Sequence, residues 1–450
     1  MQFKNSVNRN SLVGYSSFFG VFIFLNCIFY RDFSYISLGE LVYVTEIFIA
    51  FSLVALGIKM AFKVKETDTG VSRILFLSLL FFMWGSLLLI VDNGTSILFK
   101  VREYASVYYS LFFIFTISLL SSKRKSDFIL SSIIVASFIA ALYVVARFLL
   151  GKGNITTTDA VYRYGNYEFV GVLVLFCYSL SRFLQKNGNQ VLNLSLVALC
   201  IFVVNFLITH RSASLGMTIS ALMIFFYLGR NKASVNKAAI FTLLTIIGLS
   251  ALILLSPDFG GKAISRITGV FDSSIYEDPN ASWRLTVWKH AISHMSIPQF
   301  LYGVGWGYNI TPLHFLGRDY SVDGFIGIHN SVVFYFLHMG LIGIVLFALL
   351  LLNNYYKAVI FIAKSPPGRD KEVVVSLLSA NIGVLFFSLF NVLLEGPYMS
   401  IVFWTTLGLL YNFTSAQKKD ITQTDSGKSY EKNTLSNSTS SANPRRIRSK

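Results

Sequence analysis

The run HNSVVFYFLHMGLIGIVLFALLLL, residues 329–352, decides the fold. It contains no aspartate, glutamate, lysine or arginine. Its apolar positions are continuous rather than alternating, which selects a helix over a barrel strand. A helix of about 20 such residues crosses the roughly 30 Å apolar core of a bilayer. Moving outward from it, similar segments begin near Ser11, Leu41, Val71, Val101, Phe128, Phe169, Val191, Ala213, Ala238, Val373 and Ser400. With the run at His329 they make about twelve potential spans. Hydrophobic residues are 54% of the chain and charged residues 13%, where soluble domains carry about a quarter charged. The mean hydropathy of +0.61 agrees. The reading is an all-α polytopic membrane protein, with a membrane domain over residues 1–414.

The formal net charge of +16 falls mainly on alternate loops. Lys4 and Arg9; Lys63, Lys65 and Arg73; Lys123, Arg124 and Lys125; Arg182 and Lys186; Arg230, Lys232 and Lys237; and Lys357, Lys364, Arg369 and Lys371 share one side. The other short loops are sparser, with Arg31, Lys100, Arg102, Lys152, Arg163 and Arg211. Such bias puts the basic side and both termini in the cytoplasm. The charge is therefore topological, and no nucleic-acid partner is expected. The first apolar segment follows a basic tail and lacks a small-residue cleavage site, so it reads as an uncleaved span. Residues 415–450 are rich in serine, threonine and asparagine and end in Arg445, Arg446, Arg448 and Lys450, which predicts a disordered basic cytoplasmic tail.

By the same count the polar stretch 257–328 is one large loop on the outer side. It holds Ser282-Trp-Arg284-Leu-Thr-Val-Trp288, then Gly303-Val-Gly305-Trp-Gly307-Tyr-Asn309. Asp278-Pro-Asn280-Ala-Ser282 offers a turn and a helix cap, with Arg284 in the first turn that follows. Leu285, Trp288, Ile292 and Met295 predict an amphipathic helix ended by Pro298, and the glycines permit close backbone approach to a ligand.

Arginine binds phosphate oxygens in a fork and keeps its charge at any relevant pH. Arg284 in the loop, Arg211 in the tight hairpin Thr209-His-Arg211-Ser, and Arg163 in Tyr162-Arg-Tyr164 are the candidates for an anionic substrate. His329 is the first candidate for proton transfer, because the positive end of the following helix keeps its ring neutral. Glu395, before Gly396-Pro397, is a second candidate base. His290 and His294 have the spacing of a metal pair but no third ligand beside them, and Cys27, Cys177 and Cys200 lie in apolar segments, so no metal site is expected.

The hairpin around Arg211, the Ser-Trp-Arg run at Arg284, the glycines 303, 305 and 307, and His329-Asn330-Ser331 followed by Gly340-Leu-Ile-Gly343 resemble the O-antigen polymerase and O-antigen ligase superfamily of bacterial envelope polysaccharide assembly. Two departures are His338-Met339, where members often carry an acidic residue, and Gly165-Asn-Tyr-Glu168, where they often have Gly-Asn-Pro-Asn. The resemblance implies a GT-C-like, metal-independent inverting glycosyltransferase without cofactor, in the bacterial inner membrane. Its substrate would be oligosaccharide on undecaprenyl diphosphate, with a chain-length regulator protein as a conceivable partner. In that role Arg211, Arg284 and Arg163 would hold the diphosphate, His329 would take the proton, and Trp283, Trp288, Trp306 and Tyr308 would pack on sugar faces. A polymerase serving O-antigen or capsule is the favoured expectation. A ligase acting on lipid A core, and a flippase of lipid-linked sugars, are the alternatives.

Overall fold

The computed structural model describes residues 2–37, 42–61, 69–155, 162–165, 167–208, 210–229, 279–308, 314–315, 318–319 and 328–415. The side chains at 2–13, 69–72, 154–155, 162–163, 279–283, 314–315 and 318–319 lie outside that description. The helices are α1 Gln2–Ser34, α2 Val44–Ala61, α3 Thr69–Leu87, α4 Ile97–Tyr108, α5 Leu111–Leu119, α6 Lys123–Leu149, α7 Phe169–Leu184, α8 Gln190–Phe202 and α9 Arg211–Leu228. After them come α10 Pro279–Ser293, α11 Ile297–Tyr302, α12 Ser331–Lys364 and α13 Arg369–Ser388. A last helix, α14, occupies 397–415. The only strands among the described residues are two antiparallel two-residue pairs, Asn154–Ile155 with Tyr162–Arg163 and His314–Phe315 with Arg318–Asp319.

Among the described residues, seven helices are long and apolar enough to cross a membrane. They are α2, α3, α6, α8 with its π-helical continuation to Ile208, α9, α12 and α13; α7 is apolar but shorter. The segment expected at Val101 departs from a single span, being two short helices, α4 and α5. The reason is polar anchoring. Lys100 Nζ donates to the Val91 carbonyl at 2.7 Å, and Glu103 accepts from the Gly307 amide, so α4 lies among polar partners. The segment expected at Ala238, most of the 257–328 loop and the 416–450 part of the tail lie outside the described residues.

α13 is one of the most enclosed helices of the bundle. Protein buries 78% of its apolar window, against 22% for the peripheral α2. It packs on α9 through small residues: Gly216 and Gly383 lie so close that a Cβ on either would strike the other's carbonyl oxygen. Ser220 Oγ donates across the seam to the Ser379 carbonyl at 2.8 Å. Where lipid removes any hydrophobic drive between helices, such close backbone approach is what holds them together. At one end of the bundle, Lys123 pairs with Asp370 at 2.6 Å and Arg369 with Asp127 at 2.9 Å. Near that end Asn412 Nδ2 donates to the carbonyls of Thr116 and Leu120.

α12 breaks at Gly340, where φ is 64° and ψ −167°. The break deprives the Leu337, His338 and Met339 carbonyls of intrahelical donors, and buried carbonyls without partners are costly. Three groups replace them. Val304 N–H bonds Leu337 at 2.8 Å, Gly305 N–H bonds His338 at 3.2 Å, and the Trp84 indole bonds Met339 at 2.9 Å. Asn93 Nδ2 clasps the same loop by the Val304 and Trp306 carbonyls at 2.9 and 3.0 Å. The close approach expected of the glycine run is thus made to α12, at the point where the helix itself opens.

Candidate functional site

At the end of the bundle opposite the Lys123 and Arg369 ion pairs, the starts of α9, α12 and α14 meet the loop 389–396. Asn330 caps α12, its side chain accepting from the Val332 and Val333 amides at 3.0 Å each. Ser331 is fully buried and holds the loop. Its hydroxyl donates to the Asn391 carbonyl at 3.3 Å and accepts from the Leu393 and Leu394 amides at 3.2 and 3.1 Å. Asn391 Nδ2 in turn donates to Ser212 Oγ at 2.6 Å, which ties the first turn of α9 to the same corner.

His329 stands just before this cap, half-buried, with φ +50°. That left-handed backbone costs a non-glycine residue about 1–3 kcal/mol and persists only where its surroundings impose it. Two neighbours do so: the Asn330 cap on one side, and on the other the Trp288 indole, which donates to the Ile328 carbonyl at 2.7 Å. Burial, and after it the positive charge of Arg284, push the His329 imidazole down to about 4. The ring is therefore neutral at pH 7 and has a lone pair for a proton.

Arg284 and His329 are thus brought together, by α10 lying against α12. α10 begins earlier than expected, at Pro279, because proline suits the first turn of a helix; Arg284 falls in its second turn. Pro298 does not end that helix but opens α11, behind a Ser296–Gln299 capping box. The inward face also differs from the expected stripe: Val287 and Ala291 are buried with Trp288 and Met295 against the core, while Leu285 and Ile292 are exposed.

Arg211 is the first residue of α9 and is exposed beside Ser212. Arg163 pairs through its backbone with Asn154, and the next residue, Tyr164, donates to the Leu207 carbonyl at 3.0 Å. That contact lays the segment on the π-helix leading to Arg211. The side chains of Arg163 and Trp283 lie outside the described residues. Tyr308 is half-buried. Trp306 is enclosed: it is fully buried, its indole donates to the Gly85 carbonyl at 2.7 Å, and its ring stacks on His338 at 5.0 Å. No face of it is open to a sugar.

Glu395 lies in the loop that Ser331 holds. Its Oε1 is covered and has no hydrogen-bond partner among the described residues. Burial first, then the neighbouring Glu103 carboxylate, push Glu395 up to about 8 in spite of its hydrogen bond with Ser331. It is thus a carboxyl group that stays protonated at neutral pH. His290, in the last turn of α10, and His294, just past its end, face each other, but His294 Nδ1 is engaged by the His290 carbonyl at 2.8 Å. Among the described residues no three histidine, cysteine, aspartate or glutamate side chains are grouped to hold a metal.

What sequence reasoning missed is the supporting layer, namely Ser331, Asn391 and Ser212. The His-Asn-Ser triplet was visible, but its work is to fasten a loop 60 residues away, and only the folded chain shows it.

Residues 195–348 match the family model described as O-antigen ligase. That is about a third of the chain, and it includes Arg211, Arg284 and His329. No curated protein matches the chain.

Proposed function

We propose, from the match of residues 195–348 to the O-antigen ligase family model, that the chain is a member of the O-antigen ligase and polymerase superfamily and polymerises undecaprenyl-diphosphate-linked oligosaccharide repeat units. Transfer takes place at the outer face of the bacterial inner membrane, for O-antigen or capsule. The chain crosses that membrane about twelve times, with both termini cytoplasmic and the 257–328 loop outside. A chain-length regulator protein is a fitting partner.

The observation that carries this reading is the pairing of a neutral His329 with Arg284 at the polar end of the bundle. An acceptor sugar hydroxyl attacks the anomeric carbon of the donor. A new carbon–oxygen bond forms with inversion as the bond from that carbon to the diphosphate oxygen breaks. The hydroxyl proton passes to His329, and undecaprenyl diphosphate leaves with the bonding electrons. Arg284 and Arg211, with Arg163 on the adjoining segment, offset the charge that develops on the leaving group. The two roles are coupled. A base held near pKa 4 is weak, and the second cause of that weakness is the Arg284 charge. A diphosphate bound at Arg284 screens that charge and strengthens the base when the donor is in place. Trp283, Trp288 and Tyr308 are the candidates for sugar contact.

The family description favours a second reading, a ligase that moves finished polysaccharide onto another acceptor. Deleting the gene and resolving the surface polysaccharide on a gel separates them. Loss of the ladder with a single repeat unit still on its normal anchor means polymerase. Loss of all attached polysaccharide, with lipid-linked polymer accumulating, means ligase. An unchanged ladder defeats both. In purified protein, Arg284→Ala and His329→Ala should each abolish transfer while leaving the protein in the membrane.

A further inference from the structure

A second cluster at the same end of the bundle has no part in the scheme above. Arg31, near the end of α1, is exposed and lies over two rings, 5.8 Å from the Tyr167 centroid and 5.9 Å from that of Tyr35. Its Nη1 donates to the Tyr167 hydroxyl at 2.9 Å. Tyr398, at the start of α14, completes the group, meeting Tyr167 at 4.7 Å and Tyr35 at 6.1 Å between centroids. Tyr43 stands edge-on to Tyr35 at 5.3 Å, and Arg102 reaches its hydroxyl at 3.4 Å. Three tyrosines from three distant segments therefore surround one guanidinium.

Arginine has five N–H donors in a planar fork, and the structure gives Arg31 one hydrogen bond, through Nη1. No carboxylate pairs with it among the described residues. Packing between tyrosine rings holds the guanidinium in place, so its remaining donors are pre-aimed. Tyrosine faces beside a fixed fork of donors suit a saccharide, whose C–H face packs on a ring and whose hydroxyls accept hydrogen bonds. Tyrosines of a membrane-interface belt serve individually as amphipathic anchors, whereas these converge on one cation. Position adds to the argument. Tyr398 is three residues beyond Glu395, whose loop Ser331 fastens two residues after His329. Arg284 approaches His329 on α10, while the tyrosine cluster is built from α1, α14 and the segment before α7.

We propose that Arg31, Tyr35, Tyr167 and Tyr398 form the acceptor-glycan subsite, holding the saccharide whose hydroxyl attacks, apart from the arginines that hold the donor diphosphate. This rests on the transferase reading above.

The test uses full-length protein in nanodiscs of phosphatidylcholine, with and without phosphatidylglycerol, and the variants Arg31→Gln and Tyr35→Ala. Both side chains are exposed, so neither change opens the core. Acceptor and donor KM are measured in transfer, and in parallel the Kd of the oligosaccharide released by mild acid from the lipid-linked pool. The expected result is an acceptor KM and an oligosaccharide Kd raised at least about tenfold, the equivalent of about 1.4 kcal/mol, with donor KM within about twofold. Arg31→Lys, which keeps the charge but not the planar fork, should fall between. Unchanged acceptor KM and Kd in a wild type that transfers sugar overturn the subsite and leave the transferase reading standing. A defect confined to phosphatidylglycerol discs also overturns it, in favour of a lipid head-group contact. A wild type that transfers nothing, but binds the oligosaccharide and loses it in Arg31→Gln, upholds the subsite and defeats the transferase reading.

Discussion

Replacing Gly340 by alanine should unfasten the joint that positions His329. At φ 64° and ψ −167° the residue occupies backbone space that is essentially glycine's alone, and a side chain there costs about 1–3 kcal/mol. The new Cβ would also strike the Gly303 nitrogen and the Leu301 carbonyl, which are backbone atoms that cannot rotate away. Relief requires α11 and the glycine run to move off α12. That movement breaks the Val304 and Gly305 bonds to the Leu337 and His338 carbonyls, each leaving a buried acceptor at about 1–3 kcal/mol. The total is of order 5 kcal/mol when both bonds are lost, comparable with the whole stability of many domains. The assay is thermal unfolding of the detergent-purified protein, with Gly57→Ala as the control. Gly57 lies inside α2, and a Cβ there meets nothing within 4 Å, so alanine should be neutral or slightly stabilising. Gly340→Ala should melt several degrees lower, and transfer should fall with it. Equal melting of the two variants would refute the account of the break.

Three further outcomes follow from the site. Ser331→Ala leaves the Leu393 and Leu394 amides without their acceptor, and should lower stability by about 2 kcal/mol and slow transfer, read by melting and by turnover. Trp288→Phe keeps an aromatic ring but leaves the buried Ile328 carbonyl without its donor, which should cost about 1–3 kcal/mol in stability; as the His329 backbone relaxes, kcat should drop by about tenfold. The third outcome concerns pH. His329 is lowered to about 4 from 6.5, so the unfolded chain takes up the proton first and stability declines as pH falls from 6.5 through 4. Glu395 is raised to about 8 from 4.5, so its contribution is whole below 4.5 and is lost as pH rises through 8. Glu395→Gln, a neutral isostere, should flatten the alkaline limb of melting temperature against pH and leave the acid limb as it was.

Seven of the expected spans are seen among the described residues, and they were legible because continuous apolarity is a local property that needs no partner to be read. Helix breaks were not, since a glycine at 340 forces nothing until the Val304, Gly305 and Trp84 donors are folded against it. Trp306 sits in a polar loop and reads as a surface aromatic, yet its indole is satisfied by Gly85, more than two hundred residues away. Arg284 and His329, which the fold brings near each other, could be singled out because a lone arginine and a helix-start histidine are conspicuous in an apolar chain. Arg31, Tyr35, Tyr167 and Tyr398 were not, because four common residues scattered along the chain carry no spacing signal. Pro298 misled because proline both closes and opens helices, and only the Ser296–Gln299 box decides which.

The enclosed helix α13 also says something about how the protein is made. α13 carries Arg369, Asp370, Lys371 and Glu372 in its first turn and Ser376, Ser379 and Asn381 beyond, and protein covers most of it. Such a segment gains little from lipid alone. Its serines and its Gly383 are matched instead by Cys177, Gly216 and Ser220, on helices synthesised long before it. α7 and α9 precede α13 in the chain, so both walls of the slot that accepts it are synthesised before it is. Chain order thus sets the partners ahead of the helix they enclose, so a segment that protein covers over 78% of its apolar window follows the helices that cover it.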